Sequence, residues 1–204
     1  MTLVKICGLQ EVEHVRAAVD AGADAIGFVF ANSRRQVTLS QAQRMTAVVP
    51  QDVVKIGVFV NETIENIEKY AKEVPLDYVQ LHGDESIEYV NSISVPVIKA
   101  FSISSKEDVQ NALTYDVDLY LFDTPSIEFR GGSGLTFDWG LIGNEDSPKE
   151  KTILAGGLNA ENVRIAVQTV RPYMVDVSSG VETDQRKDES KIRAFIRAVR
   201  DEER

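Results

Sequence analysis

Cysteine, histidine and tryptophan are scarce in this 204-residue chain, which has one Cys, two His and one Trp. A single cysteine excludes an intrachain disulfide, and with only His14 and His82 beside it no local Cys/His zinc pattern exists; no metal site is expected. Basic residues are also in deficit. The 22 Lys and Arg against 32 Asp and Glu leave a net charge of −10, which argues against an extended basic surface for nucleic acid or anionic lipid. Any anionic ligand must then be captured by a local site. No apolar run approaches the roughly 18 residues needed to span a bilayer, and the opening Met1-Thr2-Leu3-Val4-Lys5-Ile6-Cys7-Gly8 lacks the basic and long apolar regions of a signal peptide. The expectation is a cytoplasmic protein with no membrane or nucleic-acid partner.

What is present is core-forming material, 43% hydrophobic against 26% charged, with no linker or low-complexity segment long enough to divide residues 1–204 into more than one domain. Short β-branched runs alternate with helix-periodic stretches. The expected strands are Leu3–Cys7, Ala25–Phe30, Val54–Val60, Tyr78–Leu81, Val97–Phe101, Leu119–Phe122, Thr152–Leu154 and Met174–Val177. Between and after them, the expected helices are Glu11–Ala21, Ser40–Val48 with Ser40 as N-cap, Thr63–Lys72 with Thr63 as N-cap, Ser86–Ile93, Lys106–Leu113, Ala160–Thr169 and about Asp188–Arg200, with a short segment near Phe137–Ile142. Eight strand–helix units at a spacing of roughly 25 residues predict an α/β fold, a closed single-domain (β/α)8 TIM barrel, near the lower size limit for that architecture. An open doubly wound sheet ranks lower, because it has fewer strands and places its phosphate loop after the first, whereas the Gly-rich segments here come late.

In such a barrel the reactive groups lie at the C-terminal ends of strands. Lys5 and Cys7 are two residues apart on the first strand and face the same way, so an ammonium beside the thiol could lower its pKa; a lone Cys is equally well a small buried hydrophobe. Asp123 ends an apolar strand, where burial would raise its pKa and suit it to donate a proton, the plainer reading being a turn carboxylate. Gly156 and Gly157 after strand seven, with Ser178, Ser179 and Gly180 after strand eight, occupy the loops that frequently bind phosphate through backbone N–H groups. Gly131-Gly132-Ser133-Gly134 is either a loop that closes over substrate or a flexible surface loop. One of Arg34 and Arg35 could hold a carboxylate through a bidentate pair. His82 is a candidate proton carrier or a pocket wall, His14 has no assigned role, and the charged run Asp184–Arg204 is read as the solvated face of a terminal helix.

These residues resemble the phosphoribosylanthranilate isomerase family of tryptophan biosynthesis. The similarity is carried, in order, by Lys5-Ile6-Cys7-Gly8, the segment Gly22 to Phe30, Gly57-Val58-Phe59-Val60-Asn61, Val79-Gln80-Leu81-His82-Gly83, Phe122-Asp123-Thr124, the segment Gly131 to Gly134 with Phe137-Asp138-Trp139, Ala155-Gly156-Gly157-Leu158-Asn159, and the segment Val175 to Glu182, over residues 3 to 198. The resemblance implies a (β/α)8 barrel and a cofactor-free Amadori rearrangement of N-(5-phosphoribosyl)anthranilate, with Cys7 as general base, Asp123 as general acid and an Arg after strand two on the anthranilate carboxylate. It also suggests Lys5, His82 and Gly132 as further substrate-binding positions. The family commonly has Ser-Pro-Arg or Ser-Lys-Arg where this chain has Asn32-Ser33-Arg34-Arg35; Arg35 is preferred. The expected partner is a small phosphosugar-anthranilate substrate, and the expected assembly a monomer or homodimer. Two alternatives stand beside it. A histidine-pathway aminoaldose isomerase would carry Asp in place of Cys7, and a non-catalytic phosphosugar-binding barrel would not need both Cys7 and Asp123.

Overall fold

The structure is a computed structural model that describes residues 1–123, 139–143 and 147–201. Eight parallel strands close into a barrel in sequence order: β1 (Leu3–Cys7), β2 (Ala25–Val29), β3 (Val54–Phe59), β4 (Tyr78–Leu81), β5 (Val97–Ser102), β6 (Leu119–Asp123), β7 (Thr152–Ala155) and β8 (Met174–Val177). Pairing of β1 with β8 closes the ring and sets Lys5 directly beside Asp176. Around the outside run α1 (Val12–Asp20), α2 (Leu39–Thr46), α3 (Ile64–Glu73), α4 (Ile87–Val90), α5 (Lys106–Ala112), α6 (Val163–Val170) and α7 (Glu189–Arg200). In the sixth unit the described residues hold two 3-10 turns, Trp139–Leu141 and Lys149–Lys151, and the expected Gly131–Gly134 loop lies outside the described residues. Among the described residues no helix is long and apolar enough to cross a membrane.

The two faces of each strand bury different sets of side chains, as the two-residue period of a strand requires. Outward-facing Val4, Ile6, Ile26, Phe28, Phe59, Val79, Leu81, Phe122, Leu154 and Val175 pack with the helix residues Val15, Met45, Ile67, Val109, Ala166, Phe195 and Ile196. Inward-facing Ala25, Ile56, Ile98, Ala100, Leu119, Leu121, Ile153, Ala155 and Met174 form a second, smaller cluster inside the barrel. Continuing that inward parity toward the strand C-termini gives Lys5 and Cys7, Gln80 and His82, Asp123, and Asp176 and Ser178. The apolar plug therefore gives way to a polar floor within one strand length. Lys99 has the opposite parity. Its ammonium leaves the barrel interior, donating to the carbonyls of Gly83 (2.8 Å) and Ala100 (3.0 Å) and pairing with Glu85 (3.2 Å).

Besides shifts at other element ends, the longest being α4, which stops at Val90 rather than Ile93, three differences from the sequence expectation have a local reason. α2 is capped by Thr38, not Ser40: the Thr38 hydroxyl accepts from the Gln41 N–H, and the Gln41 side chain accepts from the Thr38 N–H, a reciprocal capping box. α6 starts at Val163 rather than Ala160, because the Asn159 side chain accepts from the N–H groups of Glu161 (2.8 Å) and Asn162 (3.1 Å), a turn that competes with helix. The run after Glu182 is not all terminal helix. Glu182–Thr183 and Arg186–Lys187 form a two-stranded hairpin, turned by Asp184 and Gln185 at φ 49° and 64°, before Asp188 caps α7.

The cap assignment is testable by thermal or denaturant unfolding. Thr38→Ala should lose about 1 kcal/mol, the usual value of an N-cap hydroxyl. Ser40→Ala, one turn-position inside the helix, should be neutral or slightly stabilising by helix propensity; the reverse ranking would restore Ser40 as the cap.

Candidate active site

The C-terminal mouth of the barrel holds a cavity of about 620 Å³ whose lining includes Cys7, Arg35, Gln80, His82, Asp123, Gly156, Gly157, Asp176, Ser178 and Ser179. That size suits one small ligand. Most of these are strand-end residues of inward parity, so the strand register assembles groups up to 171 positions apart in the chain, as in the Ser178 hydroxyl that donates to the Cys7 carbonyl at 3.1 Å.

Lys5 lies beneath this floor with no exposure, its Nζ donating to Gln80 Oε1 at 2.7 Å and to Asp176 Oδ2 at 2.8 Å. Burial alone would pull its pKa down, but the Asp176 carboxylate and the Cys7 sulfur beside it hold the ammonium above its ordinary range. Because Gln80 Oε1 faces Lys5, its amide nitrogen faces His82 Nδ1 at 3.1 Å. A donor opposite Nδ1 makes that nitrogen the acceptor and puts the ring proton on Nε2, which lies 3.5 Å from Asp123 Oδ2. One chain of polar contacts thus runs from Lys5 through Gln80 and His82 to Asp123.

Two expectations are corrected here. Lys5 does not depress the Cys7 thiol as a free neighbouring ammonium would. Burial pushes the thiol up, Lys5 and Lys187 pull it down, the Asp176 charge opposes them, and the net is a pKa above the ordinary thiol range. Asp123 is not buried either: its side chain is 38% exposed at the cavity mouth, beside an equally exposed His82. Cys7 itself is 7% exposed. Room for it comes from Gly27, the paired residue on β2, where a Cβ would approach the Cys7 sulfur to 2.8 Å and Lys5 Cε to 3.2 Å.

At one rim, the Glu182 carboxylate collects three cations. Arg35 is held at two points, Nε to Oε1 at 2.7 Å and an Nη to Oε2 at 3.0 Å; Arg34 reaches Oε2 at 2.7 Å and Lys187 reaches Oε1 at 2.8 Å. Of the four only Arg35 lines the cavity, and Arg34 is turned outward, 40% exposed. Burial pushes the Glu182 carboxyl up, yet hydrogen bonds from Arg35 and Lys187, the Lys187 charge and Arg34 outweigh it and hold the pKa at about 2. Lys187, by contrast, is pulled down by burial despite its pairing with Glu182. On the loop after β7 Gly156 and Gly157 adopt φ 90° and 59°, and after β8 Gly180 packs so closely that a Cβ would meet the Leu158 carbonyl at 1.9 Å. Gly180 supports the loop after β7 rather than lining the cavity, while Gly156, Gly157, Ser178 and Ser179 all line it. Among the described residues the cavity lining holds no lysine or arginine besides Arg35, while Lys187 reaches Ser178 from behind, through its carbonyl at 2.9 Å and its hydroxyl at 3.3 Å. Gly132 lies outside the described residues.

Sequence reading missed Glu182 and Lys187 as site residues, and it counts Gln80 and Asp176 among the strand ends without giving either a role. Asp176 and Gln80 carry the inward parity of their strands, a signal that was available; Glu182 and Lys187 become neighbours only through the hairpin. Among the described residues no group of three or more His, Cys, Asp or Glu is arranged to hold a metal ion.

Residues 4–198 match the family model described as N-(5'phosphoribosyl)anthranilate (PRA) isomerase. The chain belongs to the PRA isomerase family. Among curated members, the N-(5'-phosphoribosyl)anthranilate isomerase of Bacillus cereus (strain G9842) is 52% identical over 196 residues, covering 95% of each chain. Among solved members, the phosphoribosyl anthranilate isomerase of Thermotoga maritima superposes with a TM-score of 0.89 at 43% identity, over 98% of this chain and 100% of that one. A further family structure, in complex with reduced 1-(o-carboxyphenylamino)-1-deoxyribulose 5-phosphate, gives a TM-score of 0.87 at 41% identity over the same shares. The agreement covers the whole barrel, so the polar floor and both rims fall within the shared fold.

The Glu182 cluster makes a pH prediction with a definite sign. A carboxyl whose folded pKa is about 2 and whose ordinary value is 4.5 stabilises the fold fully above 4.5 and loses that contribution as pH falls toward 2. The stability gap between the parent protein and Glu182→Gln, read from urea midpoints, should be constant from about pH 7 to 5 and close below that. A gap that stays unchanged down to about pH 2.5 would contradict the pairing.

Proposed function

We propose that the chain rearranges N-(5'-phosphoribosyl)anthranilate to the corresponding 1-deoxyribulose 5-phosphate, with Asp123 as general acid, Cys7 as general base and Arg35 on the anthranilate carboxylate. The observation that carries the reading is the convergence of Cys7 and Asp123 on one cavity from β1 and β6, with Arg35 and the glycine loop after β7 in the same lining. A ligand with a carboxylate, a phosphate and reacting carbons finds a guanidinium, a glycine loop and a carboxyl–thiol pair in that one lining. The phosphate is taken by the loops of Gly156, Gly157, Ser178 and Ser179, buttressed by Gly180, because glycine lets backbone N–H groups approach an anion without a side chain in the way. Arg35 keeps donors for the second anion after two are held by Glu182, since a guanidinium carries five.

The chemistry then needs one acid and one base. Asp123 gives a proton to the ribose ring oxygen as the C1–O bond breaks, and the anilino nitrogen lone pair forms the C1=N iminium. Cys7, as thiolate, removes the C2 proton; the C2–H electrons form C1=C2 and neutralise the nitrogen. The resulting enolamine becomes the ketone by losing its O2 proton and gaining one at C1. The iminium charge next to the sulfur favours the thiolate that burial disfavours in the free protein. His82, its Nε2–H beside the Asp123 carboxylate, orients that group, and Lys5 fixes the floor below Cys7.

Turnover of phosphoribosylanthranilate made in situ, followed by loss of its fluorescence, tests the reading. Asp123→Asn and Cys7→Ala should lower kcat by about 10²- to 10⁴-fold with binding retained, whereas Arg35→Ala should chiefly raise KM. Near-normal kcat in Cys7→Ala would remove it as the base, and a KM effect confined to Arg34→Ala would move the carboxylate contact to Arg34.

The raised thiol pKa gives a second check. Alkylation of Cys7, the only thiol, by iodoacetamide in the ligand-free protein should be slow near pH 7 and still rising beyond the ordinary thiol value of about 8.5. A rate that levels off by pH 8 would mean that Lys5 outweighs burial after all.

A further inference from the structure

Glu85 and Lys99 pair at 3.2 Å with both side chains buried, 2% and 3% exposed, yet neither residue lines the cavity. Stability is a weak reason for such a pair, because the attraction between two charges taken out of water is offset by their lost hydration, and apolar residues of similar size often do as well. The neighbours supply a better one. The Glu85 carboxylate accepts from the Gly83 N–H, at 3.0 Å to Oε2 and 3.2 Å to Oε1, and from the Asn61 N–H at 2.9 Å. The Lys99 ammonium donates to the Gly83 carbonyl at 2.8 Å and lies 5.1 Å from the centre of the Phe101 ring. Both peptide groups of Gly83 are thus held by the pair, one by each partner.

Gly83 follows His82 directly. The N–H that Glu85 holds belongs to the peptide bond leaving His82, and the N–H of His82 itself donates to the Phe59 carbonyl on β3 at 2.9 Å. With the planar peptide groups on either side anchored, the backbone of His82 is fixed. Space is closed as well: a Cβ on Gly83 would come within 2.8 Å of Glu85 Oε1 and collide with the Asn61 side-chain amide. Asn61, at φ 48°, completes the lock through Oδ1, which accepts from the Asp84 N–H at 2.9 Å. One carboxylate therefore ties the loop after β3 to the loop after β4 at the point where His82 enters the cavity lining.

We propose that Glu85 and Lys99 are positioning residues, which from outside the cavity fix the backbone of His82 and so the place at which its Nε2–H meets Asp123. Gln80 sets the tautomer of the ring; the pair sets the backbone from which the ring projects. Ions suit this task because a carboxylate accepts several hydrogen bonds at once and an ammonium donates three, more than one neutral side chain of either kind provides. The proposal rests on the reading of Asp123 as general acid given above.

The test uses Glu85→Gln, which keeps the shape but turns NH2 toward either the Lys99 ammonium or the Gly83 and Asn61 N–H groups, donors facing donors. In the folded variant kcat for phosphoribosylanthranilate should fall about 10- to 100-fold with KM within about twofold, the mark of a misplaced group rather than a lost ligand contact. Two further readouts separate positioning from plain support of the fold. The 15N spectrum at about pH 8, where an ordinary imidazole is neutral, should show His82 mainly as the Nε2–H tautomer in the parent and as a mixture in the variant, as the ring moves off Gln80. His14 is the only other histidine, so His14→Gln assigns the signals. In a His82→Gln background, Glu85→Gln should lower kcat little further, as expected of residues that act through one another. Parent-like kcat in folded Glu85→Gln, an unchanged His82 spectrum, or an equal loss in the His82→Gln background would each overturn the proposal. If Glu85→Gln does not fold, Glu85→Gln combined with Lys99→Met, which leaves no buried charge unpaired, is read in the same way. No turnover by the parent would instead overturn the Asp123 reading, and the His82 spectrum would then decide the positioning alone.

Discussion

An ammonium group removed from water needs an acceptor for each of its three protons, because an uncompensated buried charge costs several kcal/mol. Lys5 meets that requirement with Asp176, Gln80 and the sulfur of Cys7, and the arrangement of the barrel mouth follows from it. The carboxylate of Asp176 is fixed by the oxygen that accepts from Lys5. The Gln80 amide is turned so that its nitrogen meets His82, which in turn sets the imidazole tautomer facing Asp123. Removing Lys5 would therefore disturb β8, β4 and β6 together, although Lys5 is absent from the cavity lining itself.

The two rims handle negative charge by different means. At the glycine rim the described lining has no cation, and on the proposed reading recognition falls to backbone dipoles made approachable by residues without side chains. At the other rim three cations share one carboxylate, Glu182, leaving the cluster with a net positive charge and only Arg35 in contact with the cavity. An overall acidic protein can in this way bind a doubly anionic ligand, since the charges that matter lie within a few ångströms and those on the helices are screened by water and salt. On the proposed reading the division also orients the ligand. Phosphate gains most from convergent N–H groups, and a planar carboxylate from a planar guanidinium.

The state of Cys7 reflects the same balance. Its surroundings include two ammonium groups and one carboxylate, yet desolvation dominates. A thiol kept protonated in the empty site is shielded from alkylation and oxidation, which both proceed through the thiolate. A cationic intermediate brought against the sulfur would reverse the preference at the moment a base is required.

Much of the architecture was legible in the chain alone. The alternation of β-branched runs and 3.6-residue periodicity is a local property, and it gave eight strands near their observed positions. The closed parallel order then follows from eight such units of this size. Strand parity likewise placed Lys5 and Cys7 on one face, and the late glycines marked one rim. What the local pattern could not supply was burial and partnership. Whether Asp123 ends inside the barrel or at its mouth, and whether the Lys5 charge reaches Cys7 or is neutralised first, depends on Asp176 and His82, which lie 171 and 41 positions away from their respective partners. The cap of α2 was missed because Ser40 and Thr38 have equal intrinsic claims until Gln41 completes the box. Glu182, Lys187 and the double arginine meet only because a hairpin folds back over the loop after β2. Secondary structure and facing are dictated by residues a few positions apart, so the sequence determined them. Protonation states and the pairing of charges are set by desolvation and by neighbours brought in from other strands, and these the tertiary structure alone decided.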